Sequence, residues 1–304
     1  MTLMKKQTRP RFSVVIPALN EATFIADTLE SLTNQRFDGE VEIIVVDNNS
    51  RDKTSAVALG LGAKVVKEKN PGVCWARQAG TTAATGEIIV STDADTFFSP
   101  DWLASIDKQF RKNPRVIAVA GPCRYVNGPL WAEIYPHLLF TPFSIIYKLT
   151  GQTLYASATN IAFYKDSWPG YDTALTQGGD ELDLLRRLRK EGRVAFDNKN
   201  PTYTSARRQV RGFLYNFFIT FWIYYVLEYN LARMFKRPVL GSAPHFRNEL
   251  SPKLLNFMNF FIYFGLILSF LLYTTVGRRI IHRTDTMVRN TEHVLKTRIN
   301  DSEL

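Results

Sequence analysis

The chain predicts an α/β fold, a mainly parallel sheet with helices on both faces. Apolar runs of strand length alternate with segments of helical periodicity. Carboxylates and amides cluster just past the ends of those runs. A length of 304 residues at 45% hydrophobic and 13% aromatic content is enough to bury a core, and with 22% charge the composition excludes a disordered chain.

The elements follow in order. Phe12 to Pro17 (FSVVIP) is a β-branched run ended by proline, and NEATFIADTLESL after it places apolar residues at helical spacing with acidic residues near its start. Val41 to Asp47 (VEIIVVD) is a buried-strand run. NNSRDKT then forms a loop and helix cap, TSAVALGLG a short helix, and AKVVKE a further strand. VCWARQAGTTAA is compatible with a helix and precedes the strand-like Glu87 to Thr92 (EIIVST). Strands alternating with helices at this spacing form parallel sheets. In such sheets ligands bind beyond the carboxyl ends of the strands. The residues to inspect are therefore Pro17, Asn20 and Glu21 after the first strand, Asp47 to Ser50 after the second, and Asp93 to Asp95 after the later one.

From about Gly212 the character changes. Residues 213–227 (FLYNFFITFWIYYVL) are uncharged and aromatic-rich, but Glu228 and Arg233 follow closely, so the segment reads as an interfacial helix or a first membrane helix. Residues 254–276 carry no charge over 23 positions. A helix of that length reaches across a bilayer core of about 30 Å. The expected organisation is a catalytic domain over 1–211, an interfacial helix and basic loop over 212–253, a transmembrane helix over 254–276 and a basic tail over 277–304. Leu130 to Leu149, interrupted by Pro136 and Pro142, reads either as a core helix pair or as a membrane-facing lip.

Residues 201–304 hold 14 lysines and arginines against 6 acidic residues, so most of the net +10 lies there. Interleaved with apolar runs and without a nucleic-acid motif, that charge points to an anionic membrane surface rather than to nucleic acid. Basic residues flank the apolar segments on every side, so charge alone does not choose between one span and a hairpin. Cys74 and Cys123 lack disulfide-framework or zinc spacing. His137 has no partner at ligand spacing and is expected to be packed or hydrogen-bonded. No signal-peptide pattern precedes the first strand, so the N-terminal domain is expected to remain cytoplasmic.

Asp93-Ala94-Asp95 leaves an apolar strand, and one or two carboxylates are what Mg²⁺ or Mn²⁺ takes from a protein when phosphate and water complete its shell. The same triplet can instead cap the helix near Pro100. The surrounding segments distinguish these readings. VVIPALNE, EIIVVDNNSRDKT, NPGVCWARQAG, GEIIVSTDADTFFSPDWL and GDELDLLRRLRKEG stand in one order, and across residues 12–212 the chain resembles the inverting family 2 glycosyltransferases, whose fold is called GT-A.

The resemblance implies a nucleotide-sugar donor, a UDP-sugar by the family's pattern, and a divalent metal; with the apolar, basic C-terminal third, the expected acceptor is lipid-linked or a glycan in cell-envelope glycan or glycolipid synthesis, at the cytoplasmic face of the membrane. It implies that Pro17 and Glu21 line the nucleoside pocket, that Asp47 recognises the base, that Asp93 lies near the ribose and that Asp95 holds the metal. A strand-end carboxylate can accept the imide N–H of uracil, which the motif favours for Asp47 over the closing of an Asx turn. Asn48 stands where the family often has a second aspartate. Arg77 matches an arginine near the pyrophosphate, or serves as a salt bridge to a loop carboxylate. Asp180 and Glu181 open a helix where the family carries its general base; alignment of the helix favours Glu181, with Asp180 as the substitute. Thr204-Ser205-Ala206-Arg207-Arg208 replaces the signature of processive synthases, which implies single-sugar transfer. Its arginines can neutralise a leaving diphosphate or form a basic collar.

Other classes are weaker. A sugar-phosphate nucleotidyltransferase needs a glycine-rich loop after the first strand, and Ala18 to Phe24 has no glycine. No GxGxxG marks a dinucleotide fold. A noncatalytic nucleotide-sugar-binding scaffold would not need both acidic clusters.

Overall fold

The strands are β1 (Phe12–Ala18), β2 (Val41–Asp47), β3 (Lys64–Lys67), β4 (Ile88–Ser91), β5 (Thr96–Phe97), β6 (Val116–Ala120), β7 (Cys123–Val126), β8 (Ile161–Tyr164), β9 (Arg193–Phe196) and β10 (Thr202–Ser205). The helices are α1 (Ile25–Thr33), α2 (Thr54–Gly60), α3 (Val73–Ala83), α4 (Trp102–Lys112), α5 (Leu130–Thr150), α6 (Asp180–Glu191) and α7 (Glu228–Phe235). This structure is a computed structural model, and it describes residues 9–175, 179–235, 237 and 239–240. The expected membrane helix 254–276 and basic tail 277–304 lie outside the described residues.

Seven strands form the main sheet in the order β3-β2-β1-β4-β8-β6-β9. β1 pairs in parallel with β2 and β4, β2 with β3, and β6 with β9. β8 runs antiparallel between β4 and β6, so the sheet is mixed rather than wholly parallel. A second sheet of β5, β10 and β7 lies beyond the strand ends.

Period-two alternation divides β1 between two cores. Phe12, Val14 and Ile16 join Ile25, Leu29, Trp102 and Ile106 from α1 and α4. Val15 joins Ile44, Val46, Ala76, Phe140, Leu184 and Leu188 on the side of α3, α5 and α6. Gly80 lets α3 approach that face: a Cβ there would sit 2.6 Å from Val46 Cγ2 and still closer to Val15. Alanine gains about 1 kcal/mol as a helix former, but overpacking against two stiff β-branched residues costs about 1–3 kcal/mol. Gly80→Ala is therefore expected to lower Tm by about 2–4 °C in thermal unfolding; an unchanged or raised Tm would show that the face relaxes freely.

Three local expectations change. Leu130 to Leu149 is one 21-residue helix with Pro136 and Pro142 inside it, not a pair. Each proline removes a backbone donor, but contacts along the helix hold it together, with Tyr135 against Phe213 and Phe140 stacked on Tyr155. Residues Tyr215–Leu227 form a 13-residue π-helix that continues directly into α7. Glu228 does not break it, because its carboxylate is buried and accepts the backbone N–H groups of Val239 and Leu240 at 2.9 and 2.8 Å. Among the described residues no helix is long and apolar enough to cross a membrane. The helix after Pro100 starts at Trp102 with Asp101 before it, so neither Asp93 nor Asp95 caps it.

Candidate active site

A cavity of about 720 Å³ opens beyond the ends of β1 and β4. Pro17, Glu21, Arg77, Asp93, Asp95, Asp180, Glu181, Arg207 and Arg208 all line it. Residues separated by up to 191 positions are thus brought to one rim, as strand-end loops and the start of α6 converge.

The second sheet explains part of this convergence. β5 follows the Asp93–Asp95 turn directly and pairs antiparallel with β10, at whose end the chain enters the 3-10 turn Ala206–Arg211. Ser205 donates its backbone N–H to the Asp95 carbonyl at 3.1 Å. Arg207 then reaches both carboxylates on that side. Its Nη atoms donate to the two oxygens of Glu21, each at 2.8 Å, and Nη2 lies 2.9 Å from Asp95 Oδ2. The guanidinium also stacks over Phe24 at 4.4 Å.

Arg77 organises the other side. It is buried on α3, with Nη2 2.7 Å from Asp93 Oδ1 and Nε 3.1 Å from Asp180 Oδ2. Nη1 donates to Ser91 Oγ and to the Ala158 carbonyl, the latter at 3.2 Å. One guanidinium therefore ties the Asp93 loop to the acidic opening of α6, a bridge for which planar, forked donors are suited. Burial pushes the Asp93 carboxyl above its ordinary range, against the pull of Arg77.

Asp180 and Glu181 are both buried at the start of α6. Burial, then the adjacent Asp180 charge and hydrogen bond, raise the Glu181 carboxyl well above the usual carboxylate range. Within the pair, Arg77 holds Asp180, and burial with the neighbouring charge acts on Glu181. A carboxylate raised by burial in this way is suited to take up a proton.

Asp47 stands apart. It is buried, but it is not part of the cavity wall. Its oxygens accept the Ser50 N–H at 2.8 Å, the Lys67 ammonium at 2.5 Å and the Ser55 hydroxyl. Burial would raise its carboxyl, yet the bonds from Lys67, Ser55 and Ser50 outweigh that and hold it at about 2. The loop-closing geometry is the one seen here, and Asn48 and Asn49 on that loop are what reach the cavity.

The metal expectation rests on Asp95. Among the described residues no group of three or more His, Cys, Asp or Glu side chains could hold an ion by itself. Hard, all-oxygen coordination by one or two carboxylates, completed by phosphate and water, needs no such group. Glu21 and Asp95 already draw one positive group between them, the Arg207 guanidinium.

Cys74 and Cys123 are free and buried. His137 contacts Arg124, and burial of the ring, then the Arg124 charge, lower its pKa. The sequence reading missed the aromatic wall of the cavity: Tyr125, Tyr135, Phe140, Tyr155, Phe221 and Tyr225. The signal was present as an aromatic-rich segment, but composition alone does not tell a membrane-facing surface from a ligand-facing one.

A profile described as Glycosyl transferase family 2 matches residues 13–168. The chain is 24% identical over 214 residues, 66% of its length and 36% of the relative's, to poly(ribitol-phosphate) β-N-acetylglucosaminyltransferase TarS of Staphylococcus aureus. It is 31% identical over 121 residues, 38% of its length and 18% of the relative's, to the chondroitin synthase of Escherichia coli. The solved structure of a mannosyltransferase from Pyrobaculum calidifontis, in complex with GDP-Man and Mn²⁺, matches with a TM-score of 0.58 at 21% identity over 82% of this chain and 69% of that one. The chain spans about a third of the length of the first curated relatives it matches, between 28% and 36%. The fold is GT-A-like.

Proposed function

The chain belongs to glycosyl transferase family 2, and from that premise we propose that it transfers a hexosyl group from a UDP-sugar to an acceptor oxygen, with inversion, at the cytoplasmic face of the cell membrane. The observation that carries this reading is the single cavity into which Asp93, Asp95 and the Asp180/Glu181 pair all open. Carboxylates on one side suit a metal diphosphate, and a carboxylate of raised pKa on the other suits a general base.

The residues divide the work. Pro17, Glu21 and the Asn48–Asn49 loop bound the nucleoside end, and Asp47 serves the donor by holding that loop. Asp95, with Asp93 beside it, would hold Mg²⁺ or Mn²⁺, which when bound neutralises diphosphate charge. Glu181 takes the proton from the acceptor hydroxyl as its oxygen bonds to the anomeric carbon; the bond to the diphosphate breaks, and the nucleoside diphosphate leaves with the electron pair. Arg208 lines the cavity, where a fixed positive charge stabilises that leaving group.

Membrane association and a lipid-linked acceptor are supported by the outer face of α5. Leu130, Ile134, Leu138, Ile145 and Leu149 are exposed, the first and last at 81%. At 100° per residue they occupy one stripe of the helix. The opposite side contributes Tyr135, Leu139 and Phe140 to the cavity. One helix thus separates an apolar surface from the chemistry.

The test is a panel of UDP- and GDP-sugars incubated with full-length protein and a lipid extract of the source cells, with Mg²⁺ or Mn²⁺ and with EDTA. The expected result is a metal-dependent glycolipid from a UDP-sugar, with EDTA lowering its formation at least 10²-fold and the product anomer inverted. Binding of donor without turnover would sink the enzymatic reading. Product from a GDP-sugar alone would overturn the assignment of the base.

A further inference from the structure

The π-helix Tyr215–Leu227 sends Asn216, Thr220, Phe221 and Tyr225 into the cavity. Their spacing matters. At 3.6 residues per turn, nine positions carry Asn216 and Tyr225 to opposite sides of an α-helix. The wider i→i+5 winding, with about 4.4 residues per turn, returns all four to one face. The unusual winding is therefore what builds this wall.

Both ends of the wall are anchored. At its start Asn216 donates to the Gly212 carbonyl at 2.9 Å, and Phe213 packs edge-on against Trp131 and Tyr135 of α5. At its end Tyr229 packs beside Gly179, and its hydroxyl accepts from Arg186 Nε at 3.3 Å, tying α7 to the helix that carries Asp180 and Glu181. In the middle, Phe221 meets Tyr155 with ring centroids 5.9 Å apart.

Tyr225 occupies the junction between charges. Burial pushes its phenol up to about 12, with Arg208 acting against that and Glu181, Asp180 and Asp93 adding to it. The hydroxyl therefore stays neutral and able both to donate and to accept. It lies within electrostatic reach of Glu181, Asp180 and Arg208, and Phe140 and Phe221 line the same cavity.

We infer that the π-wound segment is the acceptor-binding wall, and that Tyr225 is a positioning residue whose hydroxyl orients the acceptor oxygen toward Glu181 while an apolar-tailed acceptor lies against Phe140 and Phe221. This rests on Glu181 being the base, and the test keeps the two ideas apart. Donor affinity is measured by calorimetry with the UDP-sugar that the wild type uses, and acceptor dependence by titrating the source-cell lipid extract at saturating donor.

Tyr225→Phe is expected to raise the half-saturating amount of extract about tenfold, with a smaller change in kcat and the donor Kd within twofold. Phe221→Ala is expected to act in the same direction through lost apolar contact, which guards against reading one variant alone. An unchanged extract dependence in both variants would overturn the inference, as would a donor Kd that weakens in step with it. If wild-type protein turns over donor but glycosylates a free sugar and nothing in the extract, the apolar-tailed acceptor is wrong while the glycosyl-transfer reading stands. If wild-type protein turns over no donor, it is the proposed function that fails.

Discussion

Glu181→Gln is expected to lower turnover by about 10²- to 10⁴-fold while leaving the protein at least as stable as wild type at pH 7. The substitution keeps the shape of the side chain and removes its ability to take a proton. Its effect on stability follows from the raised carboxyl. A folded-state pKa above the unfolded value means that the folded protein binds this proton more tightly. The contribution to stability is fully present below the unfolded value of about 4.3 and is lost as pH rises through the folded one. Glutamine carries no charge to desolvate, so its advantage in Tm should be present at neutral pH and should fade as pH falls toward about 4. The same raised group gives the wild type an acid limb in kcat that lies above the ordinary carboxylate range. Thermal unfolding at pH 4 and pH 7, together with initial rates, checks both halves. Activity within twofold of wild type would remove Glu181 from the chemistry, and a Tm gain larger at pH 4 than at pH 7 would reverse the electrostatic account.

Arg77→Ala is expected to be damaging for a different reason. The guanidinium is buried and serves Asp93, Asp180, Ser91 and a backbone carbonyl at once. Its removal leaves carboxylates in a water-poor site without their partner, and breaking such a pair from one side costs about 3–5 kcal/mol. For a domain of this size that corresponds to a loss in Tm on the order of 10 °C. Arg77→Lys should recover only part of it, because one ammonium does not span the two carboxylates that a planar fork reaches. Adding Asp180→Asn to Arg77→Ala should restore some stability, since it removes one stranded charge. Calorimetric scans of wild type, Arg77→Ala, Arg77→Lys, Asp180→Asn and the double variant test this. Additive effects of Arg77→Ala and Asp180→Asn in the double variant would show that the arginine is not a bridge, and a Tm within 2 °C of wild type for Arg77→Ala would show that the carboxylates find water without cost.

These two residues show how unevenly the site was written into the chain. The place of Glu181 at a helix start was legible, because an acidic pair opening a helix of recognisable pattern is a local feature and the chain carries its neighbours in order. The preference for Glu181 over Asp180 acquired a physical basis only when Arg77 was seen to hold Asp180. Arg77 itself was legible as an arginine near phosphates or as a salt bridge, but its two partners, 16 and 103 positions away, were not. Arg207 shows the same limit at a longer range: the motif marked it, while its forked contact with Glu21 spans 186 positions. Asp47 shows the converse, since the local loop chemistry competing for its oxygens was readable from Ser50 and is the geometry the structure adopts.

The strands and helices from β1 to β4 were dictated by the chain itself, because period-two and period-3.6 patterns are short-range and each run carries its own turn signals. So was the gathering of polar residues past the ends of β1, β2 and β4, since parallel strands must release their loops at one edge. Packing settled the rest. The antiparallel place of β8 between β4 and β6, the single helix running through Pro136 and Pro142, and the π winding that turns Tyr225 inward depend on contacts between distant segments. No local pattern records those contacts, because their energy exists only after the chain has closed upon itself.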